Sequence, residues 1–237
     1  MEAPVMRLLF WVMVAAYTAG AAGILVARPR LVRFVTAAGS VVGAGASVWL
    51  ACLVLFGAGT LSVALPGVLA PAGGLLFHLD RLGAWFLAVI GGVAFATTVY
   101  GAGYTAAYDG RRSVRWLALQ SNAFLLSMSL VTCAASVFTF VLAWELMALT
   151  SYFLVVVEHD RPDTAGAGLW YLSMTHFGML ALLALFFLLG GDGSGPGTFD
   201  ALRRSAAHLP SSTRTAVFLL ALAGFGSKAG LVPLHVW

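Results

Sequence analysis

Six stretches of this chain stay apolar for about 20 residues each, the length an α-helix needs to cross roughly 30 Å of hydrocarbon. They lie near 6–27, 32–56, 82–107, 114–133, 136–157 and 167–190, and a seventh begins near 215 and is still running at Trp237. A backbone inside a bilayer must satisfy its own hydrogen bonds, so apolar runs of this length are read as spanning helices. Composition agrees: 61% of the 237 residues are hydrophobic and 9% are charged, against roughly 25% charged in an average soluble domain. Together these exclude a disordered chain, a disulfide scaffold and most soluble enzymes. The expected fold is an all-α polytopic membrane protein of about seven transmembrane helices. The first run is too long for a signal-peptide core and leads directly into a second span, so it reads as a retained helix.

The basic residues set the expected orientation. Twelve of the thirteen are Arg, gathered in short groups between the apolar runs, with no basic stripe of the kind that binds nucleic acid. Arg28, Arg30, Arg33, Arg111, Arg112, Arg115 and Arg161 fall on one side; Arg7, Arg81, Arg203, Arg204 and Arg214 fall on the other. The richer side is expected to face the cytoplasm, leaving the N-terminus outside and the chain multi-pass in a plasma or inner membrane. Segment 57–80 is rich in Gly and Pro and reads as an outer loop. Segment 191–214 opens as a flexible linker, GGDGSGPG, and its 199–209 stretch has the makings of a short surface helix. Cys52 and Cys133 sit inside apolar runs and read as small buried hydrophobes. The glycines of GAGAS (43–47) and GAG (101–103) read as close-packing positions between helices.

Ionisable side chains deep in a bilayer cost several kcal/mol and mark functional sites. Three stand out. Glu145, His176 and Lys228 each lie on a different one of the last three spans. Counting 1.5 Å per residue puts them roughly 14, 16 and 20 Å below the outer face. Desolvation disfavours the charged form of each, and an approaching opposite charge restores it. A Glu and a Lys that meet and part can therefore take up, hold and release a proton, with a His as carrier. Gly224, Gly226 and Gly230 flank Lys228, and Pro233 clashes with the carbonyl four residues before it. The seventh helix is thus expected to break between Lys228 and Pro233, and broken membrane helices line cavities. His235 follows, with a functional and a packing role equally open. Asn122, Ser129 and Thr132 share one face of the fourth span; hydrating a channel and hydrogen-bonding between helices both remain open readings. The sequence contains no HExxH, no Cys/His metal cluster and no phosphate loop, and no metal or cofactor is expected on this chain.

The segments WELMALTSYFLVVVEHDRPDTAGAGLWYLSMTHFG (144–178) and FGSKAGLVPLHVW (225–237) resemble the antiporter-like membrane subunits of the complex I and membrane-bound hydrogenase superfamily. Their wording is closest to the hydrogenase-4 component B and formate hydrogenlyase subunit 3 branch, and HLDRLGAWF (78–86) also fits. The resemblance implies a longer helical subunit with two inverted repeats and a broken seventh helix. It implies that Glu145 and Lys228 form an ion pair coupling distant redox chemistry to proton movement, with His176 a relay and His235 a link onward. It divides the chain into an N-terminal three-helix segment, 1–110, and the first part of the proton-channel repeat, 111–237. Nickel-iron, iron-sulfur or flavin groups are expected in partner subunits, both membrane-embedded and peripheral. The expected partners are those subunits, protons and the lipid bilayer. On this reading the polypeptide is expected to continue past Trp237. Two other functions fit the residues: a subunit of a multi-subunit sodium/proton antiporter, and a non-conducting membrane scaffold.

Overall fold

The computed structural model describes residues 2–25, 29–57, 59–69, 73–104, 114–158, 162–190 and 197–232. Among the described residues, eight α-helices and one two-stranded sheet follow in chain order. They are α1 (Glu2–Ala21), α2 (Pro29–Phe56), β1 (Leu61–Leu65), β2 (Leu75–Leu79), α3 (Arg81–Tyr104), α4 (Val114–Cys133), α5 (Val137–Val155), α6 (Pro162–Gly190), α7 (Phe199–Ala206) and α8 (Ser211–Ala229). Among the described residues, six helices are long and apolar enough to cross a membrane, and each falls within a few residues of a run read from the sequence. The seventh, α8, begins at Ser211 and stops at Ala229. Its stop has a local cause: Gly230 takes the left-handed conformation (φ 75°), and the amides of Gly230 and Leu231 both turn back to the Gly226 carbonyl. Glycine reaches that conformation without a Cβ clash. The chain is a polytopic helical membrane protein. Pro233 and His235 lie outside the described residues.

Segment 57–80 is more ordered than a Gly/Pro-rich loop. Leu61–Leu65 pairs antiparallel with Leu75–Leu79, Leu61 opposite Leu79 and Val63 opposite Phe77. The strands alternate, with Leu61, Phe77 and Leu79 turned into the core. The hairpin is pinned to the start of α5. The Ala135 amide donates to the Leu76 carbonyl (2.9 Å), and the Leu76 amide donates to Thr139 Oγ1 (2.9 Å). Ser136 caps α5 by accepting from the Thr139 amide (3.2 Å) and makes a single bridge with Thr198, the residue that caps α7. Asp80 caps α3 in the same way, accepting from the Gly83 amide at 2.8 Å, which gives the HLDRLG wording a structural reason.

Two apolar clusters organise the interior. The larger gathers Phe10, Met13, Tyr17, Leu50, Val54, Phe77, Leu79 and Leu87 from α1, α2, the hairpin and α3. The second joins Phe140, Trp144 and Met147 of α5 to Met179 and Leu182 of α6. Close approach rather than apolarity holds membrane helices together. A Cβ at Gly39 would lie 2.6 Å from the Ala16 carbonyl oxygen and 2.7 Å from Gly20 Cα; one at Gly43 would meet the Tyr17 ring at 2.7 Å. Gly45, Gly101 and Gly103 differ from the close-packing expectation: a Cβ there would meet nothing within 4 Å.

Candidate functional site

α5, α6 and α8 carry Glu145, His176 and Lys228. Their geometry is set by a tight crossing of α6 and α8. A Cβ at Gly224 would lie 2.6 Å from Leu182 Cδ2 and 3.1 Å from the Gly178 carbonyl oxygen, and one at Gly178 would lie 3.0 Å from the Gly224 carbonyl oxygen and collide with Ser227 Oγ. Phe225 packs edge-on against Trp144 and Phe140, with ring centroids 6.1 and 6.3 Å apart, which brings α8 against α5 as well. One turn beyond Gly224, α8 delivers Lys228 to the junction.

Glu145 and His176 meet across α5 and α6. Glu145 Oε2 lies 3.8 Å from His176 Nε2. That separation is too long for a direct hydrogen bond and short enough for an ion pair or a single bridging water. The other ring nitrogen, Nδ1, lies 2.9 Å from the Leu172 carbonyl oxygen. A carbonyl only accepts, so Nδ1 carries the hydrogen and Nε2 is the nitrogen free to gain or lose a proton. The nitrogen that lacks this hydrogen is the one aimed at the carboxylate. The pair is not sealed: the His176 side chain is 50% exposed and that of Glu145 30%.

Lys228 is held elsewhere. Its ammonium donates to Tyr171 Oη at 2.7 Å and sits 5.0 Å from the centre of the same ring. Tyr171 Oη is in turn hydrogen-bonded to Ser151 Oγ, which donates to the Met147 and Ala148 carbonyls of α5 (2.7 and 2.9 Å). Glu145 and Lys228 form no ion pair within 4 Å in this conformation; Glu145 faces His176 and Lys228 faces Tyr171. Sequence reasoning passed over Ser151 and Tyr171. Both lie inside the segments singled out for their charges, six residues after Glu145 and five before His176, and each is a hydroxyl on a helix already carrying an intramembrane titratable group.

The polar face of α4 serves packing at Asn122. That side chain is fully buried, accepts from Ser40 Oγ at 3.0 Å and donates to the Ala118 carbonyl at 3.3 Å, so it ties α4 to α2. Ser129 and Thr132 bond back to carbonyls of their own helix. His78 lies on β2 and bonds Ser62 across the hairpin at 2.9 Å. Among the described residues, no three His, Cys, Asp or Glu side chains come together as a metal site.

Known proteins resemble this chain. The transmembrane family described as NADH:quinone oxidoreductase/Mrp antiporter matches residues 134–237, the stretch that carries Glu145, His176 and Lys228. An uncharacterized protein of Mycobacterium tuberculosis is 43% identical over 204 residues, which is 84% of this chain and 30% of that protein. Hydrogenase-4 component B of Escherichia coli is 31% identical over 163 residues, 69% of this chain and 24% of that protein. The chain therefore spans less than a third of the length of these curated relatives. Among solved structures, a chain of an archaeal respiratory membrane complex, the membrane-bound sulfane sulfur reductase, superposes with a TM-score of 0.79 at 17% identity. That match covers 98% of this chain and 46% of the other.

Proposed function

We propose, for a chain whose residues 134–237 belong to the NADH:quinone oxidoreductase/Mrp antiporter family, that it is a proton-translocating membrane subunit of a hydrogenase-4-like or NADH:quinone oxidoreductase-like complex. The observation that carries this reading is the Glu145–His176 contact, an acid and a base 3.8 Å apart on two membrane-spanning helices, with Lys228 on a third helix packed beside them. His176 takes a proton on Nε2 while the Glu145 carboxylate stabilises the imidazolium. When the Lys228 ammonium swings from Tyr171 to Glu145, it replaces His176 as the partner of the carboxylate, and the imidazolium gives up its proton. When Lys228 returns, His176 can be reloaded. His235 takes the proton onward, and the Arg-rich face, with Arg33 and Arg115, is the cytoplasmic one. Nickel-iron, iron-sulfur or flavin groups in partner subunits supply the redox chemistry, and movement of Lys228 is the element that such chemistry drives.

The partial exposure of the pair supports assembly with further protein. An ion pair facing hydrocarbon is strongly disfavoured, so another helix or a wet cavity bounded by protein covers it.

The family description favours a second reading, a subunit of a multi-subunit sodium/proton antiporter with no redox partner. Proton uptake by proteoliposomes holding the purified complex separates the readings. Glu145→Gln and Lys228→Met are each expected to slow redox-driven uptake by about 10-fold or more, the scale of losing an acid–base group. Uptake driven by a sodium gradient, with no response to electron donors, selects the antiporter. Wild-type uptake in both variants selects a non-conducting scaffold.

A further inference from the structure

We propose that Tyr171 is a positioning residue for Lys228: with Ser151 it forms a resting berth that holds the ammonium away from Glu145. This rests on the transport reading above for its consequence, and on geometry alone for the berth itself.

The donors in the network run in one direction. An ammonium has hydrogens and no lone pair, so in the 2.7 Å contact Lys228 donates and the phenol oxygen accepts. The phenol's single hydrogen can then go to Ser151 Oγ, which is hydrogen-bonded to Tyr171 Oη. The hydroxyl of Ser151 points its own hydrogen at the Met147 and Ala148 carbonyls, which can only accept. The chain Lys228 to Tyr171 to Ser151 thus ends on the backbone of α5. Through it the ammonium is tied to the backbone of α5, which makes the chain an anchor.

The anchor is built for a cation. The same nitrogen lies 5.0 Å from the ring centre and 2.7 Å from the phenol oxygen, which places it beyond the hydroxyl edge of the ring, so the charge is met by the oxygen lone pair. Tyr171 is 6% exposed, and the Gly178–Gly224 crossing fixes α8 against the helix that carries it. Ser151 is six residues beyond Glu145 on α5, about 9 Å along the axis. The ammonium held in this berth makes no ion pair with the carboxylate within 4 Å, so Lys228 has to move to pair with it. The strength of the berth sets how often it does.

The test uses the assembled complex in bilayers with ¹⁵Nζ-labelled lysine. The Lys228 resonance is identified by its loss in Lys228→Met. Tyr171→Phe keeps the ring and removes only the oxygen. It is expected to move the Lys228 resonance and to speed exchange of the ammonium hydrogens. Proton uptake is expected to fall by about 10-fold without being abolished, since the titrating groups remain. Ser151→Ala is expected to move the resonance the same way by less, and the double variant to differ little from Tyr171→Phe, because the two act through one chain. An unmoved resonance in Tyr171→Phe overturns the berth. A moved resonance with wild-type uptake overturns its positioning role. If uptake is also wild type in Glu145→Gln and Lys228→Met, the transport reading fails while the resonance still decides whether the berth exists.

Discussion

At the scale of single residues, the decisive feature is where hydrogens can go. The Leu172 carbonyl fixes the proton of His176 on Nδ1 and leaves Nε2 facing Glu145. Replacing His176 by Gln keeps a polar side chain but removes the titrating nitrogen. We expect His176→Gln to cut proton uptake by about 10-fold or more while assembly of the complex, followed on native gels, is unchanged. Asn122 is a contrasting case, buried deeply yet carrying no charge. Asn122→Ala removes the bond to Ser40 and should lower stability by about 0.6–2 kcal/mol, the range for one hydrogen bond between membrane helices, with uptake per folded complex unaltered. Thermal unfolding in detergent together with uptake checks both halves. Glu145, His176 and Lys228 could be picked out from the sequence because charge is so scarce in it. Tyr171 and Ser151 could not, because one hydroxyl in an apolar run looks like any other until its partner is known.

At the scale of elements, helix crossings and the hairpin place those residues. Gly39 and Gly178 have backbone atoms against them, so a side chain there forces helices apart and not merely a rotamer to change. Gly39→Val should destabilise the chain by about 1–3 kcal/mol, as overpacking does, and leave the α5–α6–α8 geometry in place. Gly178→Val should also lose proton uptake, because it displaces the helix that delivers Lys228. Comparing the two variants by melting and by uptake tests that division. The hairpin acts at the other end of α5. Thr139→Val keeps the shape but leaves the Leu76 amide without its acceptor. That should cost about 1–3 kcal/mol locally, read as faster hydrogen exchange across 75–79. The spanning helices were legible because their apolar runs match the bilayer's thickness, and an end to α8 after Lys228 was legible from the nearby glycines and Pro233, although its immediate device, the left-handed Gly230, was not. The hairpin was not: its strands are five residues each, and the Gly and Pro of the turn between them dominate the local composition. Gly101 and Gly103 show the same limit, since a glycine that packs a neighbour and one that does not are spelled alike.

At the scale of the whole molecule, two packed groups divide the work. α1, α2, α3 and the hairpin build an apolar interior of Phe10, Met13, Tyr17, Leu50 and Leu79. α5, α6 and α8 carry the acid, the base and the cation, and α4 joins the two through Asn122 on one face and contacts with α5 on another. The Glu145–His176 pair stays partly exposed, and on the proposed reading further protein in an assembled complex covers it. The most direct test is the number of protons moved per electron pair by the reconstituted complex. In Glu145→Gln the account predicts that electron transfer continues while this ratio falls below that of the wild type. An unchanged ratio, with the variant subunit present at normal occupancy, would contradict it.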